Sequence, residues 1–384
     1  MAIKKIIIAG DLFPVDSNLA LFQKGDIKTL FGEKICNMFA EADYRICNLE
    51  GALTDSPDEC MKTGRVIKAS PTIINTYTAL GIDLCTLANN HITDGGTQGV
   101  AETIKTLDDA GIHHIGAGMD EYSIPHNLTI TLDDLKICVY NVCERMYNTP
   151  TANEAGAWIY DEYIVCKELE SLKNEYNYII VIYHGGVEKF QYPSPETRKR
   201  FHRMTDSGAD IILSQHTHCI GCEEYYNGSY LLYGQGNFLF KNFKPIITDT
   251  GLLLEIEIDK DGFKVNKHKV KTVDDLLHYD EEQNLKDFEK RSVMLADETF
   301  INKEFREFCY QELRLYLTAY EGLSLPQRFF RKRFPSHFKK WLYYHSHNEK
   351  DMLFTLHSLR SEQNRETAIT GVEELIRRRQ YHSG

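Results

Sequence analysis

Five short stretches carry the side chains best suited to hold a divalent cation: Gly10-Asp11, Asn48-Leu49-Glu50, Asn89-Asn90-His91, His184-Gly185-Gly186 and His216-Thr217-His218. Hard and borderline divalent metals take carboxylate, amide-oxygen and imidazole donors. Asp11, Glu50, Asn90, His184, His216 and His218 supply all three kinds. When two ions sit roughly 3.5–4 Å apart, one carboxylate bridges them, and together they stabilise the attacking and leaving oxygens of phosphoryl transfer. Singly, each residue has an ordinary reading: a strand-terminal Asp caps a helix, Asn-Asn makes a turn, and a lone His is a satisfied structural side chain. As an ordered set they point to a metal centre.

Each stretch follows an apolar run that reads as a buried strand, at residues 6–9, 44–47, 84–88, 179–183 and 211–213. Ligands at the carboxyl ends of successive strands of one sheet converge in the crevice there. From residue 1 to about 270 such strands alternate with amphipathic helical stretches at 33–42, 71–80, 96–110, 163–175 and 195–207, which implies an α/β layered fold. Ser70 and Ser194, each before a proline, mark helix starts, and Gly81, Gly111 and Gly208 mark helix ends. Later strands flank Asp133-Asp134, Asn227-Gly228 and residues 259–262 as hairpins, so the sheet reads as mixed, parallel early and antiparallel late. Residues 271–384 form a second region, read as helical over 274–296, 303–319 and 349–379.

A net charge of −12 argues against a general nucleic-acid binder, whose affinity comes mainly from neutralising phosphates. The apolar run at 6–10 stops at Asp11 and is too short for a signal sequence. No stretch approaches the roughly 20 apolar residues of a membrane span, so the expectation is a cytoplasmic protein. The ten cysteines, including the lone pair Cys219-Ile220-Gly221-Cys222, read as reduced thiols. Residues 326–341 interleave Arg328, Arg331, Lys332, Arg333, Lys339 and Lys340 with five aromatic residues and contain no acidic one. That stretch admits aromatic packing with snorkelling cations, a peripheral contact with anionic lipid at the inner membrane face or with a polyanionic product, or nucleic acid.

In order, the motifs resemble those of the calcineurin-like metallophosphoesterases, and most closely the bacterial capsule or poly-γ-glutamate synthesis branch (the CapA-type family). Gly10-Asp11, Asn48-Leu49-Glu50-Gly51, Ala88-Asn89-Asn90-His91-Ile92-Thr93-Asp94-Gly95-Gly96, His184-Gly185-Gly186-Val187-Glu188, His216-Thr217-His218 and Gly236-Asn237-Phe238 carry the likeness, which covers roughly residues 4 to 260. It implies a four-layer αββα metallophosphatase-like sandwich of mixed sheets over 1–270; residues 271–384 fall outside the likeness and read from their own pattern as a C-terminal helical accessory region. It further implies that Asp11 and His218 bind a first metal, that Glu50 bridges, and that Asn90, His184 and His216 bind a second. One or two divalent ions drawn from Mn, Fe, Zn or Mg are the implied cofactors. His91 takes the place of the family's general acid or phosphate-contacting histidine, with Asp94 orienting it. Glu188 is either an acceptor behind His184 or surface charge, and Asn237 lies in a tight turn near the crevice.

The activity so implied is hydrolysis of a small-molecule phosphoester or polymer precursor in or beside surface-polymer synthesis. A metal-bound hydroxide would be the nucleophile, with His91 assisting the leaving oxygen. The alternative is a non-catalytic metal-binding subunit of a capsule or polymer assembly. Two positions depart from ordinary phosphoesterases: Phe13 stands where their Asp-x-His places the histidine, and Glu50 stands where they have Asp. The capsule branch shares both.

Overall fold

Strand-forming runs rich in Ile, Val and Leu build two mixed sheets in a computed structural model that describes residues 3–62, 64–240, 247–321 and 349–382. The eight-stranded first sheet has the order β18 (Leu276–Tyr279), β17 (Phe263–Val273), β16 (Thr250–Ile258), β1 (Lys4–Leu12), β2 (Tyr44–Leu49), β5 (Leu84–Thr86) and β6 (His113–Ile115), with β15 (Asn237–Leu239) also paired to β1. Strands β1, β2, β5 and β6 are parallel, while β16, β17 and β18 extend the sheet antiparallel from β1. The six-stranded second sheet runs β13 (Ile220–Tyr226), β14 (Ser229–Gln235), β12 (Ile211–Gln215), β11 (Tyr178–His184), β9 (Leu135–Cys143) and β8 (Asn127–Leu132). Two short ladders stand apart: β3 (Ala52–Leu53) with β4 (Lys68–Ala69), and β7 (Ala117–Gly118) with β10 (Gly156–Ala157).

Side chains alternate across a strand, so each central strand buries both its faces. Ile6, Ile8, Ile46 and Leu84 of the first sheet meet Ile137, Val139, Ile180, Ile182, Ile211 and Leu213 of the second in a core between the sheets. Ile7, Ala9, Cys47 and Cys85 point the other way. They pack with Phe22 of α1 (Leu19–Lys24), Phe31 and Phe39 of α2 (Ile27–Glu41), Tyr77 of α3 (Ile74–Leu80) and Leu107 of α4 (Gly96–Ala110). On the far face of the second sheet, Val181, Tyr183 and Ile212 pack with Val165 and Leu169 of α5 (Glu162–Leu172) and with Phe201 and Met204 of α6 (Pro195–Asp206). Each fully buried side chain of this kind contributes about 1.5–3 kcal/mol, so the three apolar layers fix the architecture. The order is helix, sheet, sheet, helix, as the motifs imply.

Two expectations change. The motif-bearing strand ends belong to two facing sheets, not one. Residues 274–296 are not one helical stretch: Leu276–Tyr279 is strand β18, and only Lys286–Met294 is helical, as α7. The cause is the pair Asp274-Asp275, at φ 50° and 61°, closing a two-residue turn with Val273 opposite Leu276. Asp tolerates the left-handed conformation that such a hairpin requires.

The chain divides into a unit of Met1–Cys60 with Val66–Ile301, which holds both sheets, and a unit of Met61–Arg65 with Asn302–Gly384. The helices beyond α7 are α8 (Glu298–Glu321), α9 (Glu349–Arg360) and α10 (Glu362–His382). Within the second unit Gly371 of α10 lies close to Cys309 of α8, where a Cβ would meet the Cys309 carbonyl oxygen at 2.6 Å. The basic-aromatic stretch at 326–341 lies outside the described residues. Among the described residues, no helix is long and apolar enough to cross a membrane.

Candidate metal centre

Asp11 reaches the crevice through a bulge. Along β1 and β2 the parallel register runs Ile8 opposite Ile46 and then Asp11 opposite Asn48, one residue out of step. Bulges bend a strand and re-aim the side chain that follows. Carbonyl groups beside this one are taken up by two buried amides. Gln235 Nε2 donates to Ile8 O at 2.9 Å and Leu252 O at 3.0 Å. Gln215 Nε2 donates to Ala9 O at 3.3 Å and to Gln235 Oε1 at 3.0 Å. Gly10 admits the close approach, since a Cβ there would lie 2.6 Å from Gly236 O.

The six candidate ligands converge from both sheets. Ligand atoms of Glu50, His184 and His216 all lie within 4.8 Å of one another, as do those of Asp11, Glu50 and His218, so Glu50 belongs to both groups. Glu50 Oε1 stands 3.8 Å from His184 Nε2 and 3.9 Å from His218 Nε2. Asp11 Oδ2 is 3.3 Å from His218 Nδ1, and Asn90 Oδ1 is 2.9 Å from His184 Nε2. His216 and His218 follow the end of β12 with φ of 85° and 54°, conformations rare outside glycine. Such local strain clusters at functional sites, where the surrounding structure over-determines it.

This donor set fits a divalent cation. Asp11 Oδ2 and Glu50 Oε1 are buried and accept no hydrogen bond among the described residues. Burying such oxygens is costly unless a charge or a metal meets them. Two carboxylates, an amide oxygen and three imidazoles form a mixed oxygen and nitrogen set suited to Mn, Fe, Zn or Mg.

The electrostatics lean the same way. Burial, reinforced by the neighbouring Asp11 charge, pushes the Glu50 carboxyl well above its usual range. Burial also acts to raise Asp11, but His218 and His184 outweigh it and hold this carboxyl below the carboxylate range. Burial and His216 press His184 well below its ordinary value, and burial takes His216 down to about 4. Both are thereby neutral at pH 7, the form that ligates metal. Burial opposes protonation of His218 too, but the adjacent Asp11 carboxylate raises it. Asn237 Oδ1 accepts from His218 Nδ1 at 2.9 Å while its own Nδ2 donates to Thr248 O at 2.8 Å, which turns Nε2 of His218 toward Glu50. Between β14 and β15, Gly236 at φ 74° makes the turn that delivers Asn237.

Beside the ligands, His91 Nδ1 lies 2.7 Å from Asp94 Oδ2, which also accepts the Ile67 N–H at 2.6 Å. Glu188 is half-exposed in the turn after β11, 3.7 Å from Lys189 Nζ. Its burial would raise it, but His216, His218 and Lys189 hold its carboxyl low. The ring nitrogens of His184 face Asn90 and Asn48, and the charges acting on Glu188 include His216, His218, Lys189 and His91. Phe13 packs in the apolar layer outside the first sheet and against Gly51, where a Cβ would sit 2.5 Å from its ring.

Two residues without a role in the sequence reading prove central. Asn48 Nδ2 lies 2.8 Å from Asp11 Oδ1, 3.5 Å from Glu50 Oε2 and 3.3 Å from His184 Nδ1. Strand alternation places residues 48 and 50 on one face, which is the signal available in Asn-Leu-Glu. Asn148 Nδ2 donates to Asn89 O at 3.0 Å and steadies the turn carrying Asn90 and His91, with no signal in spacing at all.

The family described as bacterial capsule synthesis protein PGA_cap matches residues 5–242, a span holding all six candidate ligands. The chain is 24% identical over 180 residues to the capsule biosynthesis protein CapA of Bacillus anthracis, covering 45% of this chain and 44% of that protein. It is 25% identical over 235 residues to the PGA biosynthesis protein CapA of Bacillus subtilis (strain 168), covering 59% and 60%. The chain thus spans about half the length of the curated relatives it matches. A phosphatase structure from Mycoplasma pneumoniae is 14% identical, with a TM-score of 0.43 over 70% of this chain and 94% of that one. With the match extending over more than half of its length, the chain belongs to the bacterial capsule synthesis protein PGA_cap family.

Proposed function

We propose that this protein is a metal-dependent phosphoester hydrolase working in capsule or poly-γ-glutamate synthesis, on a small-molecule phosphoester or a polymer precursor. The observation that carries the reading is Glu50 shared between two ligand groups, one with Asp11 and His218 and one with His184 and His216. A divalent ion held by these residues would supply positive charge to polarise a phosphoryl oxygen and to lower the pKa of water. Asp11, Glu50 and His218 would hold one ion, and Glu50, Asn90, His184 and His216 the other.

His91 serves as the acid. Asp94 accepts its Nδ1–H at 2.7 Å, which sets the ring orientation and leaves Nε2 to deliver a proton to the leaving oxygen. The link to capsule and polymer rests on the names of the relatives and on family membership. The test is Mn²⁺-stimulated cleavage of generic phosphomonoesters and phosphodiesters by the purified chain. Turnover abolished by His184→Ala or Asn90→Ala is expected. No turnover with Mn²⁺, Fe²⁺, Zn²⁺ or Mg²⁺ would sink the hydrolase.

Phe13 favours a second reading. With that ring in the apolar layer, the group of Asp11, Glu50 and His218 has three protein donors, one fewer than the group with Asn90. A non-catalytic metal-binding subunit of a capsule assembly would bind Mn²⁺ with no turnover of any phosphoester.

A further inference from the structure

We propose that Asn48 is a positioning residue that divides the oxygens of Asp11 and Glu50, turning one of each pair to the scaffold and the other to the cation. The inference rests on the metal-centre reading above. Asn48 is fully enclosed, and the register of β1 against β2 sets it directly opposite Asp11. Its Nδ2 donates to Asp11 Oδ1 at 2.8 Å, and Glu50 Oε2 lies at 3.5 Å. The two oxygens left over, Asp11 Oδ2 and Glu50 Oε1, are the buried ones that accept no hydrogen bond among the described residues. They are also the oxygens that face the histidines, Oδ2 toward His218 at 3.3 Å and Oε1 toward His184 and His218 at 3.8 and 3.9 Å.

Which end of Asn48 faces the carboxylates is set by its surroundings. Asn89 Nδ2 donates to Asn48 Oδ1 at 3.1 Å and to Leu49 O at 2.8 Å, so Asn48 must present its nitrogen to Asp11. The same nitrogen lies 3.3 Å from His184 Nδ1, which joins ligands of both groups through one side chain. The residue type matters. A lysine or arginine there would add a positive charge in competition with the cation, and an aspartate would add repulsion between carboxylates. A neutral amide gives two protons and no charge.

Metal-stripped wild type, Asn48→Ala and Asn48→Leu are each titrated with Mn²⁺ by calorimetry, and the melting temperature of each ion-free protein is recorded. Leucine fills the space that alanine leaves, so the test survives if the smaller residue destabilises β2. Mn²⁺ affinity about ten- to a hundredfold weaker in a variant whose ion-free melting temperature stays near that of the wild type is the expected result. An affinity within about twofold of wild type in a folded variant overturns the role of Asn48 and leaves the metal centre standing. Absence of Mn²⁺ binding by the wild type itself overturns the metal centre, and this inference with it.

Discussion

The His91 imidazole is held by Asp94 through a 2.7 Å contact from Nδ1 to Oδ2, and the carboxylate is itself sealed from solvent. A buried acceptor on one ring nitrogen fixes the tautomer and stabilises the protonated ring. Asp94→Asn keeps an oxygen for the Ile67 N–H and removes the charge. Hydrolysis of a phosphodiester should fall about 10²–10⁴-fold, with Mn²⁺ affinity unchanged by calorimetry. A parallel loss of Mn²⁺ binding would move Asp94 from proton transfer to construction of the metal site.

Metal binding should depend on pH with a definite sign. The Glu50 carboxyl lies well above its usual range because burial and Asp11 disfavour its charge. A folded-state value above the unfolded one means that ion-free protein keeps this proton beyond pH 4.5 and loses stability as pH rises from 4.5 through the folded value. Ligation requires the ionised form, so a cation removes that penalty and expels the proton. The rise in melting temperature on adding Mn²⁺ should therefore be larger at about pH 8 than at about pH 5.5. It should vanish toward pH 4, where His216 also takes up a proton. A larger shift at the lower pH would contradict the assignment of Glu50.

Gly10 ties fold to site. A methyl group there would press within 2.6 Å of the Gly236 carbonyl, a main-chain atom that cannot swing away. Gly10→Ala should lower stability by about 1–3 kcal/mol in denaturant melts and weaken Mn²⁺ binding by displacing Asp11. Full stability with full affinity would show that the bulge does not set Asp11.

Away from the centre, Glu224 gathers Arg198 and His202 of α6 and Tyr233 of β14, with contacts of 2.7, 2.6 and 2.6 Å. Burial would raise this carboxyl, but the hydrogen bonds from His202, Arg198 and Tyr233 bring it down to about 2. A depressed folded value contributes stability above pH 4.5 that is lost as pH falls through the folded value. Glu224→Gln should cost about 1.5–3 kcal/mol at pH 7, a gap that narrows between pH 4.5 and 2 in chemical denaturation. A gap constant with pH would exclude the charge as its source.

Much of the centre was legible because ligand type and strand end coincide. An apolar run that stops at Asp11, at Asn48-Leu49-Glu50 or at His184 marks a buried strand delivering a polar group to its rim. Asn48 was not legible as a positioning group, because a buried amide in a strand leaves the same trace as any polar strand-end residue. Strand β18 was hidden because Leu276, Leu277 and Tyr279 suit either a strand or a helix, and only the Asp274-Asp275 turn decides between them.

By itself the sequence determined the donor set, the layered α/β pattern and the strand ends where donors stand, since all three follow from local residue order and period. The tertiary structure alone decided that Asp11, Glu50 and Asn90 from one sheet meet His184, His216 and His218 from the other. That meeting depends on the apolar core between the sheets and on the one-residue bulge in β1. Packing distance and register arise between segments far apart in the chain, and no local pattern encodes them.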